Sequence, residues 1–127
     1  MNQTFPKHEK LKSKKMIEHL FAHGKSCTVF PLKLIYSSYN FDEDVPIQMG
    51  VSVSKRNVKL AVKRNRIKRL LREAYRLNKH LVFNEIEGKY VGMILYLGKQ
   101  KPNFQEVNLK MERLLHRFLE TERASKK

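Results

Sequence analysis

Residues 50–76 read GVSVSKRNVKLAVKRNRIKRLLREAYR, and two periodicities meet inside them. The first continues an alternation that begins at Ile47. Met49, Val51 and Val53 fall on one side, with Gly50 and Ser52 between them, which predicts a strand over residues 47–54. A basic turn follows at residues 55–59, and the period then changes. Leu60, Ile67, Leu70, Leu71, Ala74 and Leu77 repeat at i, i+3, i+4 and i+7, which predicts an amphipathic helix over residues 60–78. A strand that feeds a helix through a short turn points to mixed α and β content.

The flanks extend the pattern. Upstream, Ile17, Leu20 and Phe21 share one face of a helix within residues 11–23, and Gly24 stands where a C-cap glycine is expected. Residues 28–39 are rich in β-branched and aromatic side chains, and Leu32, Leu34 and Tyr36 alternate with Lys33 and Ile35 as in a strand. Residues 40–46 hold Asp42, Glu43 and Asp44 and read as the loop of a hairpin. Downstream, KYVGMILYL at 89–97 is a nearly continuous apolar strand of the kind covered on both faces. Val107, Met111, Leu114, Leu115 and Phe118 form the apolar face of a last helix over 104–119. Residues 1–10 and 121–127 are polar, and flexible ends are expected there. The expectation is one α+β domain over residues 1–127, a sandwich with a small central sheet on one side and helices on the other.

Composition narrows the function. The 127 residues carry 27 Lys+Arg against 12 Asp+Glu, a formal charge of +15 with a pI near 10.1. Self-repulsion of that size calls for a polyanionic partner. No apolar run approaches the length of a membrane span, and the basic N-terminus leads into no secretory signal. The single cysteine, Cys27, cannot form an internal disulfide, and no Cys/His spacing suits zinc. A cytoplasmic protein is expected.

The charge is concentrated. Residues 55–76 contain ten Lys or Arg and one acid, Glu73. On a helical projection Lys68, Arg72, Asn65, Arg76 and Arg69 fall within an arc of roughly 100°, opposite the leucine face. Arg64 and Arg66 flank the arc, while Lys55, Arg56 and Lys59 lead into its N-terminal end. A solvated surface helix usually mixes both signs for i,i+4 pairing, and here only Glu73 can pair. A phosphate-binding ridge is the better reading, since a guanidinium fork engages phosphate oxygens in bidentate fashion. Asn65 is suited to a base edge or a 2′-OH, and equally to fixing a neighbouring arginine or the loop before the helix.

The same stretch resembles the signature of the bacterial ribonuclease P protein component. That family joins a strand ending in V-S-K-[KR] to a helix with R-N-R-x-K-R-x-x-R-E. Here these are Val53, Ser54, Lys55 and Arg56, then Arg64, Asn65, Arg66, Lys68, Arg69, Arg72 and Glu73. The N-terminal KLKSKKMIEHLFAHGKS is similar to the family's basic opening, and the resemblance runs from about Lys10 to Leu119. It implies an αβββαβα fold with a left-handed βαβ crossover, against the usual right-handed rule. That order has one strand more than the periodicities give, which leaves room for two strands within residues 28–39.

The resemblance also implies the function: the protein subunit of a ribonucleoprotein endoribonuclease that removes the 5′ leader from precursor tRNA. The active site belongs to the catalytic RNA, with Mg²⁺ held mainly there and no catalytic or metal-binding residue in the protein. The implied partners are that RNA and precursor tRNA, with no DNA and no membrane. Carried over by position, the RNA-binding set is Lys55, Arg56, Lys59, Arg64, Asn65, Arg66, Lys68, Arg69, Arg72 and Arg76. The leader-binding cleft would use Ile17 and Phe21 of the first helix. Ile17 stands where the family commonly has an aromatic, which favours apolar contact over stacking there. On the sheet Leu34, Ile35 and Tyr36 can each be aligned with the cleft; Tyr36 is the choice for stacking, and a core aromatic is its equal alternative.

Other classes fit less well. His8, His19, His23, His80 and His116 are scattered, and no glutamate between His19 and His23 makes a zinc-protease pattern. The acidic cluster at 42–44 reads as a soluble loop tip rather than a metal site. A ribosomal protein or nucleic-acid chaperone shares the basic ridge, and composition alone does not separate it. A helix-turn-helix reader would need a short helix before Leu60, where a strand is expected. A membrane-surface helix would need a free apolar face, and this one is committed to a core.

Overall fold

A hydroxyl opens the first helix. The Met16 N–H donates to Ser13 Oγ at 3.3 Å, capping α1 (Lys14–His23). The computed structural model describes residues 5–125. After α1 come β1 (Lys25–Val29), β2 (Leu32–Ser38), β3 (Ile47–Val53), α2 (Ala61–Asn78), the short α3 (His80–Phe83), β4 (Tyr90–Tyr96) and α4 (Phe104–Ser125). Apart from α3 and a 3₁₀ turn at Lys7–Glu9, this is the αβββαβα order, with the extra strand supplied by β1.

Gly24 does end α1, but not in the left-handed conformation of a glycine cap; its φ is −74° and its ψ 148°. A close approach requires it instead. A Cβ there would fall 2.7 Å from Ile35 Cγ2 and overlap the Leu20 carbonyl, so a side chain would push α1 off β2.

The strands lie in the order β1-β2-β4-β3. β1 and β2 form an antiparallel hairpin, β2 and β4 are antiparallel, and β3 and β4 are parallel. The expected hairpin between β2 and β3 is therefore corrected. Residues 40–46 pass over the end of β4, which inserts between the two strands: Ser38 and Ile47 both pair with Tyr90. The true hairpin turns at Phe30 and Pro31. Linking β3 to β4 through α2 and α3 gives the parallel crossover unit.

Alternation along the strands supplies two apolar faces. Leu32, Leu34, Tyr36, Ile47, Met49, Val53, Tyr90, Ile94 and Tyr96 join the main core with α2 and α4. Val91 and Met93 face the other way and pack with Leu11, Leu20, Phe41 and Val45, with Ile17, Ile35 and Leu95 half-buried around them. So α1 covers the second face, and the expected division into one sheet layer and one helix layer is corrected to a sheet flanked on both sides. Full burial of each Leu, Ile or Phe is worth about 1.5–3 kcal/mol, so the larger cluster supplies most of the stability.

On α2 the buried side is Ile67, Leu71, Ala74, Tyr75 and Asn78. Leu60 is not part of it. It is the N-cap residue, with a non-helical backbone, and its side chain is exposed.

Parts of both chain ends pack on the fold. Glu9 is buried, and α4 runs through residues 121–125 with Glu122 buried against Tyr90 OH at 2.7 Å. Residues 1–4, 126 and 127 lie outside the described residues.

Candidate nucleic-acid interface

The ridge begins at the loop between β3 and α2, and Arg64 sets that loop. Its Nη1 donates to the Val58 carbonyl at 2.9 Å and to the Lys59 carbonyl at 2.7 Å. Asn57 Nδ2 ties the same loop to the Leu97 carbonyl at 3.2 Å, and the Arg56 N–H donates to Ser54 Oγ at 3.1 Å. Lys55, Arg56 and Lys59 are thus presented from a fixed turn. The task left open for Asn65, fixing the loop, falls to Arg64; Asn65 itself is exposed on the outer face.

Along α2, Arg66, Arg69 and Arg72 are exposed and Lys68 is half-buried. Arg76 is already taken, because its Nε and Nη2 hold both oxygens of Glu73 in a bidentate pair. The Arg76 hydrogen bond holds the Glu73 carboxyl below its usual range, and Glu73 in turn raises Arg76. Among the described residues no carboxylate pairs with Lys55, Arg56, Lys59, Lys63, Arg64, Arg66, Lys68, Arg69 or Arg72. A row of unneutralised cations on a rigid helix can neutralise a row of phosphates.

A second surface lies on the α1 side of the sheet. His19 leaves one flank of α1 toward the end of β2, with Nε2 3.2 Å from Ser37 Oγ and its ring 5.0 Å from Tyr39. With Leu20 buried between the flanks, the 100° step puts Ile17 and Phe21 on the opposite flank. That flank looks along the sheet toward the row Lys33, Leu95 and Ser52, which are paired across β2, β4 and β3 and only half-buried. Ile17 packs into the second core, while Phe21 is 55% exposed. The result is a half-buried strip across β2, β4 and β3 with an exposed aromatic ring on the neighbouring helix, and Lys55 and Arg56 follow Ser52 at the end of β3.

A sequence profile of the Ribonuclease P family matches residues 5–119. The chain belongs to the ribonuclease P protein family. It is 39% identical over 123 residues to the ribonuclease P protein component of Chlorobium phaeobacteroides, covering 87% of this chain and 84% of that one. It is 36% identical over 115 residues to that of Porphyromonas gingivalis, covering 88% and 84%. The fold is that of the Thermotoga maritima RNase P protein, with a TM-score of 0.67 at 23% identity over 86% of this chain and 96% of that one. The Staphylococcus aureus RNase P protein superposes equally well, with a TM-score of 0.67 at 19% identity over 85% and 93%.

Within this ribonuclease P fold the choice of Tyr36 for the cleft is corrected. Tyr36 is 1% exposed and faces α4, with its ring 4.6 Å from Phe118. Burial, then the Glu122 carboxylate, pushes its hydroxyl above the ordinary tyrosine range. It is the core aromatic of the two alternatives. The β2 residues on the strip are its neighbours Ile35 and Lys33, and sequence reasoning missed Lys33, Ser52 and Leu95. Their signal is the second set of alternating positions, opposite the face that Tyr36 shares.

The remaining titratable groups are dispersed. Among the described residues no three His, Cys, Asp or Glu side chains form a group that could hold a metal ion. The acidic turn at 42–44 is tied down through its backbone. Lys89 Nζ donates to the carbonyls of Phe41 and Glu43 at 2.6 and 2.8 Å. Among the described residues no helix is long and apolar enough to cross a membrane.

Proposed function

We propose that this chain serves ribonuclease P by holding the catalytic RNA on the α2 ridge and the single-stranded 5′ leader of precursor tRNA along the strip beside α1. Membership of the family carries the general role, as protein component of the ribonucleoprotein that processes tRNA 5′ ends. The observation that supports the division of labour is the contrast between the two surfaces. One is a helix face on which Arg66, Lys68, Arg69 and Arg72 have no carboxylate partner among the described residues, suited to a folded RNA backbone. The other is a half-apolar strip with an exposed ring, suited to unstacked bases.

In this reading the protein positions and the RNA reacts. Phosphate contacts along Arg66, Lys68, Arg69 and Arg72 fix the orientation of the protein on the catalytic RNA. A leader base lying on Phe21, with its backbone near Lys33, Lys55 and Arg56, would tether precursor tRNA but not the mature product. Substrate is thereby favoured over product without any protein group touching the scissile bond. Mg²⁺ is assigned to the RNA, as the resemblance to the family implies. We further propose a cytoplasmic location, where precursor tRNA is the available substrate.

The test is reconstitution. Precursor tRNA should be cleaved at its 5′ end at low Mg²⁺ by this protein with a bacterial ribonuclease P RNA, and by neither alone under those conditions. Cleavage by rigorously RNA-free protein, or no effect of the protein on the RNA, would overturn the reading.

A further inference from the structure

The turn between β1 and β2 carries Phe30, whose side chain is 66% exposed. Its ring borders an open groove of about 530 Å³ lined also by Tyr96, Lys99, Lys101, Lys110 and Glu106. The loop after β4 that supplies two of these lysines is held in place. The Leu97 N–H donates to the Pro31 carbonyl at 2.7 Å, and Tyr96 OH donates to the Gln100 carbonyl. Gly98 lies flat against the same ring, where a Cβ would fall 2.6 Å from Tyr96 Cζ. At the far side Asn103 Oδ1 accepts the Glu106 N–H at 2.8 Å, fixing the start of α4. None of the three lysines is in an ion pair among the described residues.

The place of the groove follows from the strand order. At this end of the sheet the connecting segments bear Phe30 before β2, Lys99 and Lys101 after β4, and Lys55, Arg56 and Lys59 after β3. At the other end the connections bear Asp42, Glu43, Asp44, Glu85 and Glu87. Lys79 and Lys89 offset part of that negative charge, so the end that bears Phe30 is the more cationic of the two, and it is continuous with the row of Lys33 and Leu95. From that row to the Pro31–Leu97 hydrogen bond is two residues along each strand, roughly 7 Å.

We propose that this groove is a second single-stranded RNA subsite, in which an unpaired base stacks on Phe30 while Lys99, Lys101 and Lys110 take the flanking phosphates. Its occupant is the part of the 5′ leader farther from the cleavage site, arriving over the end of the sheet from the α1 strip. This rests on the reading of that strip as the leader cleft. An aromatic face with lysines on a fixed loop reads no sequence, because every base has a π-face, so the subsite senses leader length.

The experiment measures affinity of the assembled holoenzyme for precursor tRNAs whose leaders grow one nucleotide at a time. Parent, Phe30→Ala and the double variant Lys99→Ala/Lys101→Ala are compared. With short leaders all three should bind alike. Once the leader reaches the groove, Phe30→Ala should fall behind the parent by about fivefold or more. The lysine variant should lose about 0.7 of salt slope for each phosphate it no longer neutralises. Identical affinities at every length would overturn the proposal. So would weakened assembly with the catalytic RNA, which would put that RNA in the groove instead. A parent holoenzyme that gains nothing from any leader would bring down the cleft reading as well, and is recognisable because the first added nucleotides already fail.

Discussion

Lys79 Nζ lies 2.6 Å from Glu9 Oε1, and both side chains are almost wholly buried. The pair clamps the N-terminal segment to the end of α2. Two further ties run beside it: Gln48 Nε2 donates to the His8 carbonyl at 3.0 Å, and Phe5 packs on Tyr75 with centroids 5.2 Å apart. Residues 5–10 are therefore a strap over β3 and over the helix that carries the ridge.

Breaking a buried pair by removing one partner costs about 3–5 kcal/mol, because the other charge is left in a low-dielectric site. Glu9→Gln should accordingly lower the stability measured by urea unfolding by about 3 kcal/mol. Because neither Glu9 nor Lys79 is exposed on the ridge, it should leave the salt dependence of RNA binding unchanged below the unfolding midpoint. A loss under about 1 kcal/mol would show that the strap is not clamped by charge.

The strap is illegible in the sequence for a physical reason. Residues 1–10 show no periodicity, and the partner of Glu9 is seventy positions away. By contrast Ile67, Leu71 and Ala74 announce α2, since helix spacing is a local property. β1 is hidden because it is an edge strand with Lys25, Ser26 and Thr28 exposed, and because its turn is Phe-Pro rather than a glycine or asparagine signal. The misplaced hairpin has the same origin. Insertion of β4 between β2 and β3 is fixed by register across the sheet, such as Ile35 opposite Met93 and Met93 opposite Gly50. Period two tells that Tyr36 and Ile35 face opposite ways, but not which face belongs to α1.

On the ridge, arginines of two kinds should separate. Arg66→Ala, Arg69→Ala and Arg72→Ala combined should leave stability nearly intact and reduce the salt slope of binding to the catalytic RNA by about 0.7–0.9 for each phosphate left unneutralised. Arg64→Ala should behave differently, because its guanidinium holds two carbonyls of the loop. It should cost about 1–2 kcal/mol of stability and loosen Lys55 and Arg56 besides. An Arg64→Ala protein as stable as the parent would remove this side chain from its role in holding the loop.

Alkaline pH should unfold the protein through groups buried in their neutral form. Burial pushes the Cys27 thiol from 9.0 up to about 11, with Arg117 opposing and Glu122 adding to the shift. Burial and the Glu122 hydrogen bond push Tyr90 up to about 12, and Tyr36 and Tyr75 move in the same direction. A folded-state pKa above the unfolded one means that the native state keeps its proton longer. This contribution is therefore complete below about pH 9 and is lost as pH rises through the folded values. The urea midpoint should fall steadily above about pH 9, and Cys27→Ser should not share the first part of that fall. A thiol held protonated also predicts alkylation of the native protein far slower than of the unfolded chain at about pH 8.

Phe21 and Tyr36 give the sharpest separation between surface and core. Phe21 is 55% exposed on the open flank of α1, so Phe21→Ala should cost little stability. It should weaken precursor tRNA binding to the holoenzyme by about 1–3 kcal/mol if a leader base stacks there, and leave mature tRNA binding untouched. Tyr36→Ala should do the reverse. Its ring is packed on Phe118 in the main core, so truncation should cost about 3–5 kcal/mol, while the folded fraction binds leader normally. Tyr36→Phe, which keeps the ring, should bind precursor and mature tRNA as the parent does. Thermal melts run beside the binding curves separate the two effects. A stably folded Phe21→Ala protein that loses precursor and mature tRNA by the same factor would show that the ring contacts the tRNA body or the catalytic RNA, and not the leader.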